Sequence, residues 1–594
     1  MSNHLLSIHK LAVENGKFPG YFVSSTAPIN VEDHEGSVLE VDPKPLIQEI
    51  TQYLKDHEED AEILIMIHGY NTPKSGAEDW YKKTCKYISQ NYSEVPKGLL
   101  AIGYRWPSEQ IVADESGDFK DKKEFAQKAL PKLMSVVTKS GITGLIIGLV
   151  GTIVSVLITL FKLYSGLELL LGFVLLLILS LVAVTPVLTI VALRLTVYFR
   201  DTFRAGNYGV ADFVELIRQL DSALVAQDGG QDRSTSIDRW SQKRIRLSFI
   251  GHSMGAFVVT NAVRILSDVF DPGSIGSLDV DNLKKCPSSD IGNVFRLGKL
   301  VLVAPDIPAE AIVSGRANTL RSSLRRFEEA YLFCNEGDMA LRLASTAANY
   351  FSFPAKTRNG GYRLGNVIVR NLLPSTGNRR KSGLGIVNLS DEGRLVLPPK
   401  TASDTKDPTH LNYLFLNAES SLAARQNLVG LEDSQKSIAQ LFTYFDCTNY
   451  KEKFLDPKTQ KEKQVGIVSK AIGKPFLGFL DYVFLSLDFF TGKVDTHGGY
   501  IFSPQADLSE QLIYGLSCVG FKGLLRSLKA NPLYGRSLEE IKLQRSELTP
   551  AQQEELAALQ TLSHLCGTKG MQVLLAPERY EVDVLGGGYD RDGY

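Results

Sequence analysis

The chain has 594 residues, with 65 Lys and Arg against 66 Asp and Glu, and a formal net charge of −1. This near-neutral balance argues against a nucleic-acid binder that works through its overall field. Hydrophobic residues make up 44% of the chain and charged residues 22%, which is the range of a folded globular protein and excludes disorder as the dominant state.

Short apolar runs bounded by turn residues predict the strands of a buried sheet. In chain order they cover residues 62–68, 98–105, 244–250, 299–304, 329–334 and 441–446. Helical patterns lie between them, at residues 77–92, 207–226, 254–268 and 339–350. Strands that alternate with helices are typical of an α/β fold, in which a mostly parallel sheet is covered by helices on both faces.

A long apolar region interrupts this series between the second and third strands. Residues 142–161 and 169–193 carry no charge, and each run is long enough to cross a bilayer core of about 30 Å as a helix. Basic residues flank the pair on both sides, whereas the joint contains only Lys162. The positive-inside bias therefore predicts a transmembrane helical hairpin with the globular domain and both termini in the cytoplasm. Two buried core helices are the alternative interpretation.

We expect the chain to consist of one large domain with two long insertions and an extended C-terminus. Its parts are residues 1–140, the inserted hairpin at 141–193, the second part of the domain at 194–505, and a helical extension with a flexible tail at 506–594. A stretch at about 357–440, rich in polar and small residues, is predicted to be a surface excursion. In the extension, Thr549, Pro550 and Gln552 predict a capping box at the start of a helix.

The clearest chemical motif is the pentapeptide GHSMG, which begins at Gly251. A predicted strand runs directly into it and a helical segment runs out, which is the arrangement of a nucleophile elbow. Gly251 and Gly255 permit the tight turn and keep side chains away from the hydroxyl of Ser253. An idle serine in a glycine-rich turn is the alternative.

A second motif, HGYN, begins where the first predicted strand ends. In the geometry of such an elbow, this loop supplies one backbone N–H to an oxyanion, and the residue after the nucleophile supplies the other. The predicted donors are the N–H groups of Tyr70 and Met254. His68 and Gly69 are expected to support the loop, and neither His68 nor His252 is the predicted base.

The acid that orients the base should follow the serine in the chain. Asp338 comes directly after the fifth predicted strand and is the predicted acid. Capping of the following helix is the alternative role for Asp338. Asp306, after the fourth strand, is the alternative acid, and Glu336 is close enough to compete.

The base should be a histidine that follows the acid. Three histidines remain, namely His410, His497 and His564. His497 lies in a loop with small neighbours after the last strand-like run and is the predicted base. His410 falls in the polar excursion, and His564 falls in a predicted helix.

These motifs, together with GYRWPS at 103–108, APD at 304–306, the D-x-A-L run from Asp338 and the H-x-x-Y run from His497, resemble the α/β-hydrolase family first catalogued as DUF900. The blocks occur in the order of the family. The resemblance covers roughly residues 20–110 and 205–505. It implies the α/β-hydrolase fold of a serine esterase or lipase-like enzyme, with Ser253, Asp338 and His497 as the triad, and it implies no particular substrate.

The sequence therefore predicts a membrane-anchored serine hydrolase that cleaves an acyl ester through an acyl-enzyme on Ser253. A hairpin that holds the domain at the bilayer favours a lipid or another amphiphilic ester as the substrate. A deacylase or thioesterase of lipidated proteins is the alternative among enzymes, and a catalytically idle membrane scaffold is the alternative outside them. We expect no cofactor, no metal site and no nucleic-acid partner.

Overall fold

The computed structural model describes residues 5–13, 15–27, 42–108, 197–226, 232–267, 288–308, 326–345, 442–455, 461–469, 479–490, 494–544 and 548–574, with shorter pieces between them. Its strands are β1 (Leu6–Lys10), β2 (Gly20–Ser25), β3 (Ala61–Ile67), β4 (Gly98–Arg105), β5 (Ile245–His252), β6 (Asp290–Ile291), β7 (Phe295–Val303), β8 (Glu329–Cys334), β9 (Val369–Asn371), β10 (Leu414–Leu416), β11 (Thr443–Asp446), β12 (Lys451–Leu455), β13 (Glu462–Gly466) and β14 (Gln572–Leu574).

The α-helices also follow the chain. They are α1 (Lys44–Asp56), α2 (Lys74–Asn91), α3 (Val210–Ala226), α4 (Arg233–Gln242), α5 (Met254–Ser267), α6 (Phe479–Phe490), α7 (Gly499–Phe502), α8 (Asp507–Cys518), α9 (Gly520–Leu528), α10 (Pro532–Gln544) and α11 (Pro550–Thr568). The sequence predicted α2, α3 and α5 to within a few residues. A π-helical turn, Ala340–Ser345, occupies the start of the predicted helix at 339–350.

One 10-stranded sheet organises the fold. Its order is β1-β2-β4-β3-β5-β7-β8-β11-β14, with β6 beside β7. The run from β2 to β11 is parallel throughout, whereas β1, β6 and β14 pair antiparallel. This confirms the predicted mostly parallel sheet, and the six predicted strands correspond to β3, β4, β5, β7, β8 and β11.

Both faces of the sheet are buried, which explains the continuous apolar runs. In β3, Ile63, Ile65 and Ile67 pack into one apolar cluster, and Leu64 and Met66 pack into a second cluster on the other face. Side chains of α1, α3 and α5 complete the first cluster, and side chains of α2, α8, α9 and α11 complete the second. Parallel strands covered in this way have no solvent face that would require alternating polar residues.

The C-terminal helices are part of this cover. Leu512 and Ile513 of α8 lie in the second apolar cluster, and β14 adds a strand to the edge of the sheet beside β11. The capping box at Thr549 is present, since Thr549 and Gln552 exchange both capping hydrogen bonds. What the sequence predicted as an extension therefore supplies much of one face of the core.

The structure contradicts the predicted localisation as a two-span membrane protein. Among the residues that it describes, no helix combines the length and the apolar character needed to cross a membrane. Most of the predicted spans, at 142–161 and 169–193, lie outside those residues. An uncharged run meets the length requirement of a span, but composition alone does not fix whether lipid or protein covers it.

Within the predicted surface excursion, one described segment is buried and not solvated. Arg363 and Leu364 are buried, and the backbone N–H of Leu364 donates to the Ile307 carbonyl at 2.9 Å. The Gly365 carbonyl accepts from the N–H of Asn335 at 3.0 Å, so this segment ties together the loops that follow β7 and β8. The basic and small residues suggested a solvated loop, but the guanidinium of Arg363 is buried and paired with Asp306. Most of the remaining excursion lies outside the described residues.

Candidate active site

Ser253 lies in a sharp turn between β5 and α5. Its φ is +55°, in the left-handed region that non-glycine residues rarely adopt and that marks local backbone strain. The N–H of Ser253 donates to the Val303 carbonyl at 3.0 Å, and its carbonyl accepts from the N–H of Asp306 at 3.0 Å. The end of β7 and the loop after it thus hold the strained turn in place.

Close backbone contacts require both glycines of the pentapeptide. A Cβ at Gly251 would lie 2.7 Å from the Cα of Ala256. A Cβ at Gly255 would lie 2.3 Å from the carbonyl oxygen of Ile67, at the end of β3. The elbow is therefore packed directly against the strand that leads into the HGYN loop, and a side chain at either glycine would force the backbone apart.

The structure brings Ser253, His497 and Asp338 into contact, although they come from three distant parts of the chain. His497 Nε2 lies 2.6 Å from Ser253 Oγ, and His497 Nδ1 lies 2.7 Å from Asp338 Oδ2. Because an ionised carboxylate only accepts hydrogen bonds, Nδ1 carries the proton of the neutral ring. Nε2 is then the acceptor that faces the serine hydroxyl.

Asp338 performs two tasks with different oxygens. Its Oδ1 accepts the N–H of Leu341 at 3.0 Å, which caps the following turn, while Oδ2 faces His497. The capping role and the orienting role that the sequence left as alternatives are thus geometrically compatible. Burial raises the pKa of Asp338, and the neighbouring His497 opposes that shift.

Burial and the neighbouring carboxylates shift the pKa of His497 in opposite directions. Burial lowers the pKa of the imidazole, but Asp338, with smaller contributions from Asp495 and Asp306, raises it, and the net pKa lies above the ordinary histidine value. His252 differs, because burial lowers its pKa to about 3 and keeps it neutral. Its Nε2 lies 3.4 Å from the His497 carbonyl, so it contacts the backbone of the predicted base.

The competing acids are engaged with other partners. Asp306 Oδ1 is 2.9 Å from Arg363 Nε in a buried ion pair. Glu336 Oε1 accepts the hydroxyl of Tyr482 at 2.5 Å. Of the other two candidate histidines, His564 is exposed on α11. His410 lies outside the described residues.

The HGYN loop lies against the nucleophile. A Cβ at Gly69 would be 2.9 Å from the Cβ of Ser253, so glycine permits this approach. The Gly69 carbonyl accepts from His68 Nδ1 at 2.7 Å and from Thr72 Oγ1 at 3.1 Å. Because C=O and N–H point in opposite directions across a trans peptide, these bonds turn the N–H of Tyr70 away from both donors.

His68 is itself fixed. Burial lowers the pKa of His68 to about 3, so the ring is neutral, and it stacks on Trp106 with ring centres 5.2 Å apart. Trp106 Nε1 also donates to the His68 carbonyl at 3.0 Å. The second predicted oxyanion donor, Met254, is the first residue of α5, where backbone N–H groups have no partner within the helix.

Asn335 also fixes the site, and the sequence analysis did not identify it. Its Nδ2 donates to the carbonyls of Thr496 at 3.0 Å and Val468 at 3.2 Å, which joins the acid-bearing turn to the histidine loop. The hydroxyl of Thr496 accepts the N–H of Met339 at 3.1 Å. The sequence does show an asparagine just after a strand, but asparagine is common in ordinary turns, so its position alone did not indicate this role.

One comparison with known proteins found a related family. Residues 234–391 match the family described as an alpha/beta hydrolase of unknown function (DUF900). The matched stretch contains Ser253 and Asp338 and ends before His497. Together with the mostly parallel sheet, this match supports the α/β-hydrolase superfamily and a hydrolase activity. No curated protein and no solved structure matches the chain.

Proposed function

We propose that the protein is a serine hydrolase that cleaves an acyl ester. The observation that carries the proposal is the continuous hydrogen-bonded series from Asp338 through His497 to Ser253. A serine hydroxyl is a weak nucleophile unless an adjacent base removes its proton, and a carboxylate that orients the base keeps it in the productive tautomer. The contacts between these three side chains meet both requirements.

The reaction has two halves. Ser253 Oγ attacks the ester carbonyl carbon, its proton passes to His497 Nε2, and the carbonyl oxygen becomes an oxyanion that accepts from the N–H groups of Tyr70 and Met254. Collapse of this intermediate breaks the bond to the leaving alcohol, which takes the proton from His497. Water then attacks the acyl-enzyme by the same route and releases the acid.

Apolar side chains around the site support an acyl group of a lipid or another amphiphile as the substrate. Phe502, at the end of α7, is 50% exposed. On α6, Leu480 and Phe484 are 65% and 62% exposed, while Leu485 of the same helix packs against Met339, the residue after the proposed acid. Phe502 also packs against His252, with ring centres 5.6 Å apart, and exposed apolar side chains next to a polar site are typical of surfaces that bind amphiphilic ligands.

The test is labelling with a fluorophosphonate together with turnover of p-nitrophenyl esters of increasing chain length. We expect the wild-type protein to be labelled, the Ser253→Ala variant to remain unlabelled, and kcat/KM to increase with acyl length. A wild-type protein that is not labelled, or a variant that labels equally, would refute the serine hydrolase. A preference for acyl thioesters over matched oxygen esters would instead favour the deacylase alternative.

The pH dependence of kcat/KM should follow the titration of His497. Only the neutral imidazole can accept the serine proton, so the rate should rise with pH as His497 loses its proton. Because the neighbouring carboxylates raise its pKa, we expect the half-maximal rate above about pH 6.5, the ordinary histidine value. A pH–rate profile of the wild-type protein measures this midpoint, and a midpoint well below that value would contradict the assignment.

A further inference from the structure

A buried carboxylate that the proposed mechanism does not use lies behind the HGYN loop. Asp201 is fully buried, and its Oδ2 accepts the backbone N–H of Asn71 at 2.8 Å and the hydroxyl of Ser108 at 2.9 Å. Ser108 Oγ in turn accepts the N–H of Thr72 at 3.0 Å. Two consecutive backbone N–H groups of the loop thus end on this pair, which we call the Asp201–Ser108 clamp.

The carboxylate of Asp201 is held from its other side by two arginines. Its Oδ1 lies 2.9 Å from Arg200 Nε and 3.8 Å from Nη1 of the buried Arg204. A buried charge is tolerated only when partners compensate for its lost hydration. The contacts of the two arginines with Oδ1 orient the carboxylate of Asp201 so that Oδ2 points toward the HGYN loop.

The clamp acts on a strained part of the backbone. Asn71 has φ of +54°, a conformation that non-glycine residues rarely adopt, and its N–H is the group that Asp201 binds. This bond fixes the peptide between Tyr70 and Asn71, while His68 and Thr72 fix the preceding peptide through the Gly69 carbonyl. The N–H of Tyr70 is therefore restrained by the peptides on both sides of its Cα.

We propose that Asp201 is a positioning residue that, with Ser108, directs the N–H of Tyr70 at the developing oxyanion. The inference rests on the proposed function, because it assigns the clamp to the same reaction. A donor that is aimed at the oxyanion stabilises charge that exists only in the transition state. Loss of the clamp should therefore lower kcat and leave substrate binding almost unchanged.

The test is Asp201→Asn, which keeps the size of the side chain and removes its charge and one acceptor. We expect kcat per active site to fall by about 10- to 100-fold while KM stays within about threefold. Titration with a fluorophosphonate counts the folded active sites, so misfolded protein does not enter kcat. An alkyl boronic acid, which forms a tetrahedral adduct on Ser253, should bind more weakly by a similar factor, an effect that a merely structural role would not produce.

A matched control is Asp221→Asn. Asp221 is also a buried carboxylate, and it accepts the N–H groups of Asn293 at 2.8 Å and Val294 at 3.0 Å, away from the HGYN loop. We expect this variant to lower the Tm and to keep kcat per titrated site within about twofold of wild type. Ser108→Ala provides a second test of the clamp if Asp201→Asn does not fold, and it should lower kcat by about 3- to 10-fold.

The outcomes separate the clamp from the proposed function. If the folded clamp variants kept the kcat per titrated site and the boronate affinity of the wild-type protein, the proposed role of the clamp would be overturned and the serine hydrolase would not. A lower Tm with unchanged kcat would do the same, because it would show a purely structural role. Absence of labelling and of turnover in the wild-type protein would instead overturn the serine hydrolase itself.

Discussion

Replacement of His497 by alanine should lower kcat for ester hydrolysis by about 10⁴- to 10⁶-fold and change KM little. In the structure, His497 Nε2 lies 2.6 Å from Ser253 Oγ, and the ring is oriented by Asp338 at 2.7 Å. Without the ring, the hydroxyl keeps its proton and the leaving alcohol has no proton donor. The residual rate should come from the oxyanion donors and substrate binding alone.

Steady-state kinetics with one p-nitrophenyl ester measure the effect, and His564→Ala is the matched control. His564 is exposed on α11 and was a candidate base by its place in the chain, so its removal should leave kcat at the wild-type value. Circular dichroism and Tm should be similar for both variants. The assignment of the base fails if His497→Ala retains more than about a tenth of the wild-type kcat, or if His564→Ala loses activity to the same degree.

The local motifs made the strand–turn–helix geometry at Ser253 predictable. The apolar run before Ser253 reflects a strand that is buried on both faces. The two glycines reflect backbone contacts that leave no room for a Cβ at either position. Asp338 was predicted as the acid because it follows a strand whose carboxyl end lies at the same edge of the parallel sheet as the end of the strand before Ser253. These features are written in adjacent residues, so one sequence is sufficient to find them.

The contacts that hold the site were not predictable, because each joins segments far apart in the chain. Asn335 contacts Thr496 and Val468, and Arg363 contacts Asp306, and these individual contacts leave no periodic pattern in the sequence. Asp201 lies among basic residues that suggested only the flank of a membrane span. Polar residues of this kind look like solvated turns until a tertiary partner is known.

The edges of the sheet were missed for a different reason. β1 and β2 contain polar residues, and β14 has three residues, so none forms an apolar run that stands out from its surroundings. The C-terminal helices were predicted as helices, but their packing against the sheet was not predicted. A sheet of parallel strands needs cover on both faces, and α8, α9 and α11 provide that cover with α2 on the face opposite α5.

Asp338→Asn should lower kcat by about 10⁴-fold, although it preserves the shape of the side chain. The N–H of Leu341 already donates to Oδ1 at 3.0 Å, so the amide oxygen of the variant should occupy that position. The amide NH₂ then faces His497 Nδ1 and donates to it. This selects the tautomer with the proton on Nε2, which cannot accept the proton of Ser253.

Asp306→Asn separates the two candidate acids. Asp306 is paired with Arg363, so its neutralisation leaves a buried guanidinium without its countercharge and should lower the Tm. Its kcat per titrated site should stay far above that of Asp338→Asn. The pH midpoint gives a second criterion, because loss of the carboxylate beside Nδ1 should lower the pKa of His497 much more in Asp338→Asn. If Asp306→Asn showed the greater loss of kcat and the greater downward shift, Asp306 rather than Asp338 would orient the base.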